Sequence, residues 1–313
     1  MNSAISFSFV MPAFKSEFLS KAIDSILRQS YSVFELIIIN DASPENIQEI
    51  VDQFHDDRII YKENEKNIGG RDLVSNWNHC IQYAKNDYLI LATDDDTFEP
   101  DFLSEAIRLI EKYPHTNLIR SGVKKIDEKD QILDIEFPLK EFMTSWEFAL
   151  CWAKGQTISC VSNYIFKKEA LLSKGGFIFF PHAHFSDDAT ALAMSEQGVA
   201  NIPANCMNFR MSSINLSNQG NYQLALQQIQ ATDEYMGWYL SYIKKLDVIP
   251  GDFFERACYG GCKNKYINLI ENLIAKVPIT KTHIAIKTIF SLKRLFKKEK
   301  IRLFLFYLIN KLS

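Results

Sequence analysis

Asp87–Asp101 reads DYLILATDDDTFEPD, and the fold is decided by how this stretch is read. Tyr88–Ala92 is a short apolar run of the kind that forms a fully buried strand, and it stops at three consecutive carboxylates, Asp94, Asp95 and Asp96. Adjacent carboxylates repel, and desolvating one without a partner is costly, so a triplet at the end of a buried strand is easiest to keep where a cation neutralises it. Hard oxygen ligands suit Mg²⁺ or Mn²⁺, ions that commonly bridge protein carboxylates to substrate phosphates. The plainer reading is a solvated helix N-terminus, because Glu99, Pro100 and Asp101 also look like the start of a helix.

Upstream, strand and helix alternate. Ile5–Met11 reads as a strand ended by Pro12, and Ser16 is placed to cap a helix with Leu19, Ile23, Ile26 and Leu27 on its inner face. Phe34–Ile39 is a second apolar strand, finishing at Asn40 and Asp41, and Ser43-Pro44 restarts a helix through Ile47, Ile50, Val51 and Phe54. Arg58–Tyr61 is a third strand. A loop from Glu63 to Gly70 and a helix bearing Trp77, Ile81 and Ala84 then lead to the Tyr88 strand. Apolar strands alternating with helices predict an α/β fold whose mostly parallel sheet is covered on both faces. In such sheets ligands bind beyond the carboxyl ends of the strands, where Pro12, Asp41, Asn67–Arg71 and Asp94–Asp96 all fall. Neither G-x-G-x-x-G after the first strand nor a P-loop motif occurs, which disfavours dinucleotide-binding and P-loop units.

The second half is less regular. Ile119–Ile126 and Ile132–Phe137 predict paired strands around the turn Asp127–Asp130, and Ile158–Phe166 predicts another. Gly175-Gly176 breaks the chain, HFSDD (His184–Asp188) leads into a helix over about Ala189–Gln197, and Gly198 stops it. From about Asn221 onward the pattern is helical. The expected division is therefore 1–218 and a helical 219–313.

With 313 residues, 47% hydrophobic and 23% charged, the chain has room for one large domain or one domain plus a helical piece. The net charge of -3 is uneven: Lys281–Ser313 holds nine Lys/Arg against one Glu, which is +8 and leaves -11 for residues 1–280. Nucleic-acid binding is disfavoured by that acidic body. The six cysteines show no metal-ligand spacing and read as buried thiols in a reducing cytosol. Met194 and Met207 read as core, as do Trp146 and Trp152 in preference to sugar-stacking platforms. The tail mixes Lys293, Arg294, Lys297, Lys298, Lys300 and Arg302 with apolar residues and ends in IRLFLFYLIN, too short to span a bilayer. It suits either an amphipathic segment lying on the anionic inner face of a membrane or a helix packed on its own domain or on a second subunit of a homodimer.

Taken in order, FSFVMPAF, FELIIINDAS, NIGG, NWNHCIQYAKNDYLILATDDD, GGF (Gly175–Phe177), SDD (Ser186–Asp188) and FRMSS (Phe209–Ser213) resemble the family 2 glycosyltransferases, inverting enzymes of the GT-A fold. The resemblance spans roughly Ile5–Ser213. It implies transfer from a nucleotide-diphosphate sugar, with a UDP-sugar favoured, to a saccharide or lipid-linked acceptor, as in bacterial surface polysaccharide synthesis. Asp41 would bond the base, while Pro12, Phe14, Asn67, Gly69 and Arg71 would lie along the nucleotide. Asp95 would hold Mn²⁺ or Mg²⁺, Asp94 would lie near ribose or metal, and Asp96 would support them. Thr93 stands where many members have the first acidic residue, which puts the ribose and metal contacts in doubt, and Asn76-Trp77-Asn78 replaces a common Ala-Arg-Asn. Asp188 would be the catalytic base, with Asp187 as runner-up or orienting neighbour; helix capping by Ser-Asp-Asp is their plainer role. Arg210 would contact the diphosphate, or else form a surface salt bridge. His182 and His184 could touch acceptor or metal, but two His on a loop are more often surface residues. Two other readings compete. A nucleotidyltransferase would need a Gly-rich, Arg-containing loop where MPAFKSEF stands, and a catalytically silent sugar-nucleotide-binding or membrane-associated assembly protein would have little reason to keep Asp95 and Asp188.

Overall fold

The chain builds its sheet outward from β1 (Phe7–Ala13), whose residues are nearly all inaccessible to solvent. In the computed structural model, which describes residues 4–212, 221–246 and 251–312, β1 is followed by α1 (Leu19–Leu27), β2 (Phe34–Asn40), α2 (Ile47–Val51), β3 (Ile59–Glu63), α3 (Leu73–Cys80) and β4 (Tyr88–Leu91). β1 pairs in parallel with β2 on one side, Phe7 opposite Phe34, and with β4 on the other, Val10 opposite Leu91. The connections therefore run one way from β1 to β2 and β3 and the other way to β4. In open α/β sheets such a reversal is where ligands bind, here beyond the carboxyl end of β1.

Beyond β4 come β5 (Thr97–Phe98), α4 (Phe102–Lys112), β6 (Leu118–Ile126), β7 (Ile132–Ile135), β8 (Phe142–Met143), α5 (Ser145–Ala153), β9 (Tyr164–Lys167), α6 (Lys168–Ser173), α7 (Ser186–Met194) and β10 (Val199–Arg210). The sheet order is β3-β2-β1-β4-β9-β6-β10-β5, with β9 antiparallel to both neighbours and β10 parallel to β6. Aromatic rings fill one face: Phe9 packs on Phe34, Phe98 and Phe102 with centroids 5.7, 5.3 and 6.3 Å away. Each such ring contributes roughly 2–3 kcal/mol by leaving water. Met194 and Met207 are fully buried.

Several local expectations are corrected. Pro12 does not end the first strand, which runs on to Ala13. Val10 presents its carbonyl toward β4, accepting from Ala92, and Ala13 presents its own toward β2, accepting from Asp41. Pro12 thus faces the β4 side one step past the end of that pairing, where a missing N–H costs nothing. Ser16 does not cap α1, whose preceding residue is Phe18; the Ser16 amide donates to Glu45 instead. α2 is capped by Asn46, and Ser43-Pro44 lies outside it. The strand expected over Ile158–Phe166 shrinks to Tyr164–Lys167. A buried Arg120–Glu136 ion pair takes both backbone groups of Ile158, its carbonyl at 2.7 Å from Arg120 and its N–H at 2.8 Å from Glu136, so neither remains for a ladder.

Gly176 has φ +84, and a Cβ there would lie 2.3 Å from Asn78 Oδ1. Asn78 is fixed because its amide brackets Phe177, accepting from the Phe177 N–H at 2.7 Å and donating to the Phe177 carbonyl at 3.0 Å. The NWN and GGF stretches are thus two halves of one contact. Gly176→Ala is expected to lower the unfolding free energy by about 2–3 kcal/mol, combining left-handed strain with loss of this bracket. Urea unfolding of the variant measures it, and a change under about 0.5 kcal/mol would show that the bracket relaxes.

The described residues fall in two compact units, one within Met1–Phe148, Thr157–Phe179 and Ser186–Ser212, the other within Ala149–Gln156, Phe180–Phe185 and Ser213–Ser313. The second contains α8 (Tyr222–Ile243), α9 (Gly251–Ile274), α10 (Thr282–Ser291) and α11 (Lys297–Leu312). In it Trp152 is core, with Tyr235 and Tyr239 rings at 5.0 and 4.8 Å and the Lys265 ammonium 3.8 Å from its ring centre. The boundary expected at 218/219 and Ser213 of FRMSS lie outside the described residues.

Candidate active site

The acidic turn after β4 is held open by contacts on both of its sides. Asp94 accepts the backbone N–H groups of Phe14 at 2.8 Å and Lys15 at 2.7 Å, which ties the loop after β1 to the loop after β4. Asp96 points the other way, into the protein. Its Oδ2 takes the Thr93 hydroxyl at 2.6 Å and the Ser162 hydroxyl at 3.0 Å, and its Oδ1 takes the Arg210 N–H at 3.0 Å. Thr93, standing in the first acidic position, is thus the clamp on Asp96. The three carboxylates read as metal ligands do not converge, and among the described residues no three His, Cys, Asp or Glu side chains form a metal-holding group.

Crowding these charges where the dielectric is low changes their acidity. Burial, and then the neighbouring Asp95 charge, push Asp94 up to about 6 and Asp96 up to about 7. Burial also raises Asp95, against the Thr93 hydroxyl and the positive charges of Lys15 and Arg210. Burial is the largest cause at each of the three, so charge on this turn is costly unless a partner meets it. Of the three, Asp95 is the carboxylate left to meet a divalent ion such as Mg²⁺ or Mn²⁺, whose chemistry suits oxygen ligands.

Asp41, at the end of β2, is buried and grips the Asn64–Gly70 loop. Its carboxylate accepts from Asn64 Nδ2 at 2.7 Å, Ile68 N–H at 2.9 Å and Gly69 N–H at 2.7 Å. A Cβ on Gly69 would come within 2.9 Å of that carboxylate, which is why glycine stands there. Asn67 closes the next turn by accepting the Gly70 N–H. Pro12 and Asn67 are half-buried, while Phe14 and Arg71 are exposed at the rim.

Arg210 is not the surface salt bridge its plainer reading suggests. It is fully buried, lies 4.4 Å over the Phe18 ring, and donates to the carbonyls of Asp95 and Asp127, each at 2.9 Å, and to the Asp130 carboxylate at 2.7 Å. It is the internal strut of the acidic turn.

Asp187 and Asp188 lie in the first turn of α7, where the helix N-terminus favours ionised carboxylates. Asp188 is 8% exposed, and its N–H donates to Asp187 Oδ1 at 2.9 Å. The Cys160–Tyr164 stretch links these residues to the acidic turn. The Cys160 thiol is pushed up by burial, then by the charges of Asp96 and Asp187, and the Tyr164 hydroxyl feels both Asp188 and Asp187. His182 is exposed, and His184 is half-buried with its Nε2 out of solvent. Burial and His182 push its imidazole down to about 4, and its Nε2 has no hydrogen-bond partner among the described residues. His182, Ala183 and Phe185 all take positive φ, so a strained segment leads into α7.

The sequence reading passed over Lys15, Asn64, Asn78, Thr93's hydroxyl role and Ser162. Lys15 and Asn64 each follow the carboxyl end of a strand, the signal that could have found them.

A family model described as Glycosyl transferase family 2 matches residues 8–173, over half of the chain. The chain belongs to this family. Among its relatives, EpsE of Bacillus subtilis strain 168, which carries a glycosyltransferase name, is 33% identical over 132 residues, 41% of this chain and 46% of EpsE. WcaA of Escherichia coli K12, named for colanic acid biosynthesis, is 37% identical over 100 residues, 31% of this chain and 35% of WcaA. The chain thus spans less than half the length of either relative. Among solved structures, Staphylococcus aureus TarS 1–349 with UDP superposes with TM-score 0.62 at 13% identity, covering 99% of this chain and 91% of TarS 1–349. The mannosyltransferase PcManGT of Pyrobaculum calidifontis with GDP-Man and Mn²⁺ gives 0.57 at 14% identity, covering 99% and 88%. Identities this low speak for the fold alone, which is GT-A. Among the described residues, no helix is long and apolar enough to cross a membrane.

Proposed function

We propose that the chain is an inverting glycosyltransferase that moves a sugar from a nucleotide-diphosphate donor, a UDP-sugar by preference, to a hydroxyl of a saccharide or lipid-linked saccharide in bacterial surface polysaccharide synthesis. The observation that carries this reading is the set of loops that meet at the β1 switch point. There Asp94 joins the β1 and β4 loops and Asp41 orders the Asn64–Gly70 loop, and the Cys160 thiol feels the charges of both Asp96 and Asp187, which supports reading the α7 carboxylates with this turn. The name of WcaA, which gives colanic acid biosynthesis, supports the polysaccharide setting, and that of EpsE supports glycosyl transfer. The sugar nucleotides in the structural neighbours, UDP-GlcNAc and GDP-Man, and the UDP in another, support a nucleotide-sugar donor.

Glycine at position 69 lets the loop backbone approach the nucleotide closely, and Pro12 and Phe14 wall the opposite side. Asp41, its position fixed by three donors, retains lone-pair capacity for a base N–H. Asp95 is the residue that would hold a divalent ion, with Asp94 fixing the turn through the Phe14 and Lys15 amides; such an ion would neutralise charge developing on the leaving diphosphate. Asp188 takes the acceptor hydroxyl proton as that oxygen bonds to the anomeric carbon. The carbon–phosphate-oxygen bond breaks on the opposite side, and the nucleoside diphosphate leaves with the electron pair. One displacement with one base inverts the anomeric centre.

The test is a panel of UDP- and GDP-sugars with Mn²⁺, with nucleotide release and donor binding measured separately. Release from one donor class is the expected outcome. Binding without release or transfer, under any acceptor offered, marks a silent binding protein and overturns the proposal.

A further inference from the structure

α11 has two apolar faces, and only one is used inside its own unit. Leu303 and Tyr307 are fully buried, with the Tyr307 hydroxyl 3.0 Å from the Pro278 carbonyl. On the other side Ile301, Leu305 and Ile309 recur every four residues, which places them on one stripe, and they are 42%, 51% and 68% exposed. Phe296, just before the helix, is 62% exposed. Three aliphatic residues in a row facing water are not needed for a helix that already has a buried face.

Charge indicates what covers this stripe. Lys297 and Lys298 are exposed in the first turn of the same helix, and the segment from Lys281 carries +8 on a chain whose remainder carries -11. A stripe of aliphatics edged by lysines suits a surface that is apolar beneath and negative on top. It also suits a helix lying in the plane of a bilayer, since no helix among the described residues can cross one. A second copy of this chain would have to bring the same basic segment against itself.

We propose that α11 docks on an anionic membrane surface, with Ile301, Leu305 and Ile309 entering the acyl boundary and Lys297 and Lys298 meeting lipid phosphates. This inference goes beyond the proposed transfer reaction and stands without it, because vesicle binding needs neither donor nor acceptor.

The full chain is floated with vesicles of phosphatidylglycerol mixed into phosphatidylcholine, and with vesicles of phosphatidylcholine alone. Binding is expected to the first and to fall with salt. Ile301→Ser/Leu305→Ser/Ile309→Ser is expected to reduce the bound fraction at least about tenfold. Lys297→Glu/Lys298→Glu should weaken binding by on the order of fivefold per charge. Both variants should keep the wild-type circular dichroism and thermal midpoint, because the substituted side chains face outward. No flotation of the wild-type chain, or equal flotation of the triple-serine variant with its fold intact, overturns the proposal. So does sedimentation showing a dimer that the triple-serine variant dissolves, since the stripe would then be covered by a second copy.

Discussion

Asp188→Asn is expected to lower kcat by about three orders of magnitude, some 4 kcal/mol of barrier, while donor affinity changes less than about twofold. The substitution keeps size and shape at a buried position, so packing in the first turn of α7 is preserved. It removes the one property the mechanism needs, a lone pair basic enough to take the acceptor proton. Asp187→Asn should cost only about tenfold, because Asp187 acts through its hydrogen bond to the Asp188 N–H, which an amide oxygen still accepts. Nucleotide release with and without acceptor, beside calorimetric donor binding, separates the two variants. If Asp188→Asn keeps more than a tenth of wild-type kcat, or if Asp187→Asn proves the more damaging, Asp188 is not the base.

The parts of the fold that could be read from the sequence are those where one local signal suffices. β4 is an unbroken apolar run and β2 one interrupted only by Glu35 before Asn40, with helical patterns between them, and their carboxyl ends fall where polar residues begin. Reading failed where a distant partner decides. Nothing local shows that Ile158 will lose its backbone groups to Arg120 and Glu136, residues far upstream. Pro12 looks like a terminator until the early end of β4 is known. β10 was not anticipated, because Pro203 and the polar residues around it break the strand pattern; the structure accommodates them as a register shift between Ile202 and Met207. At the site, the order of the motifs singles out Asp41, Asp95 and Asp188 as candidates, and the structure shows what each one touches. Their hydrogen-bond duties could not be read: Asp41 looks like a base contact in sequence and is also the anchor of the Asn64–Gly70 loop. Arg210 looks in sequence like a diphosphate contact or a surface salt bridge, and it is a fully buried strut.

Asp95→Asn should separate activity from stability in opposite directions. Asp94 and Asp96 are committed to the Phe14, Lys15, Thr93, Ser162 and Arg210 groups, so Asp95 is the carboxylate that remains to meet a cation. Its loss is expected to abolish Mn²⁺-dependent tightening of UDP binding and to reduce turnover by about a thousandfold. Stability should respond the other way. Asp94 and Asp96 have folded pKa values of about 6 and about 7, above the ordinary carboxylate value, so the folded state binds their protons more tightly than the unfolded chain does. Their contribution therefore falls as pH rises from about 4 toward 7, and the full penalty is present at pH 8. Part of that penalty is repulsion from the Asp95 charge, which asparagine removes. Without metal, the variant should melt at least about 2 °C higher than the wild-type chain at pH 8, a gain that shrinks toward pH 4 as Asp94 and Asp96 become protonated. Scanning fluorimetry across that range, with calorimetry of UDP and Mn²⁺ at pH 8, measures both effects. A variant that melts lower at pH 8, or that still binds UDP more tightly with Mn²⁺, would mean that the charge on this turn is balanced from within the protein.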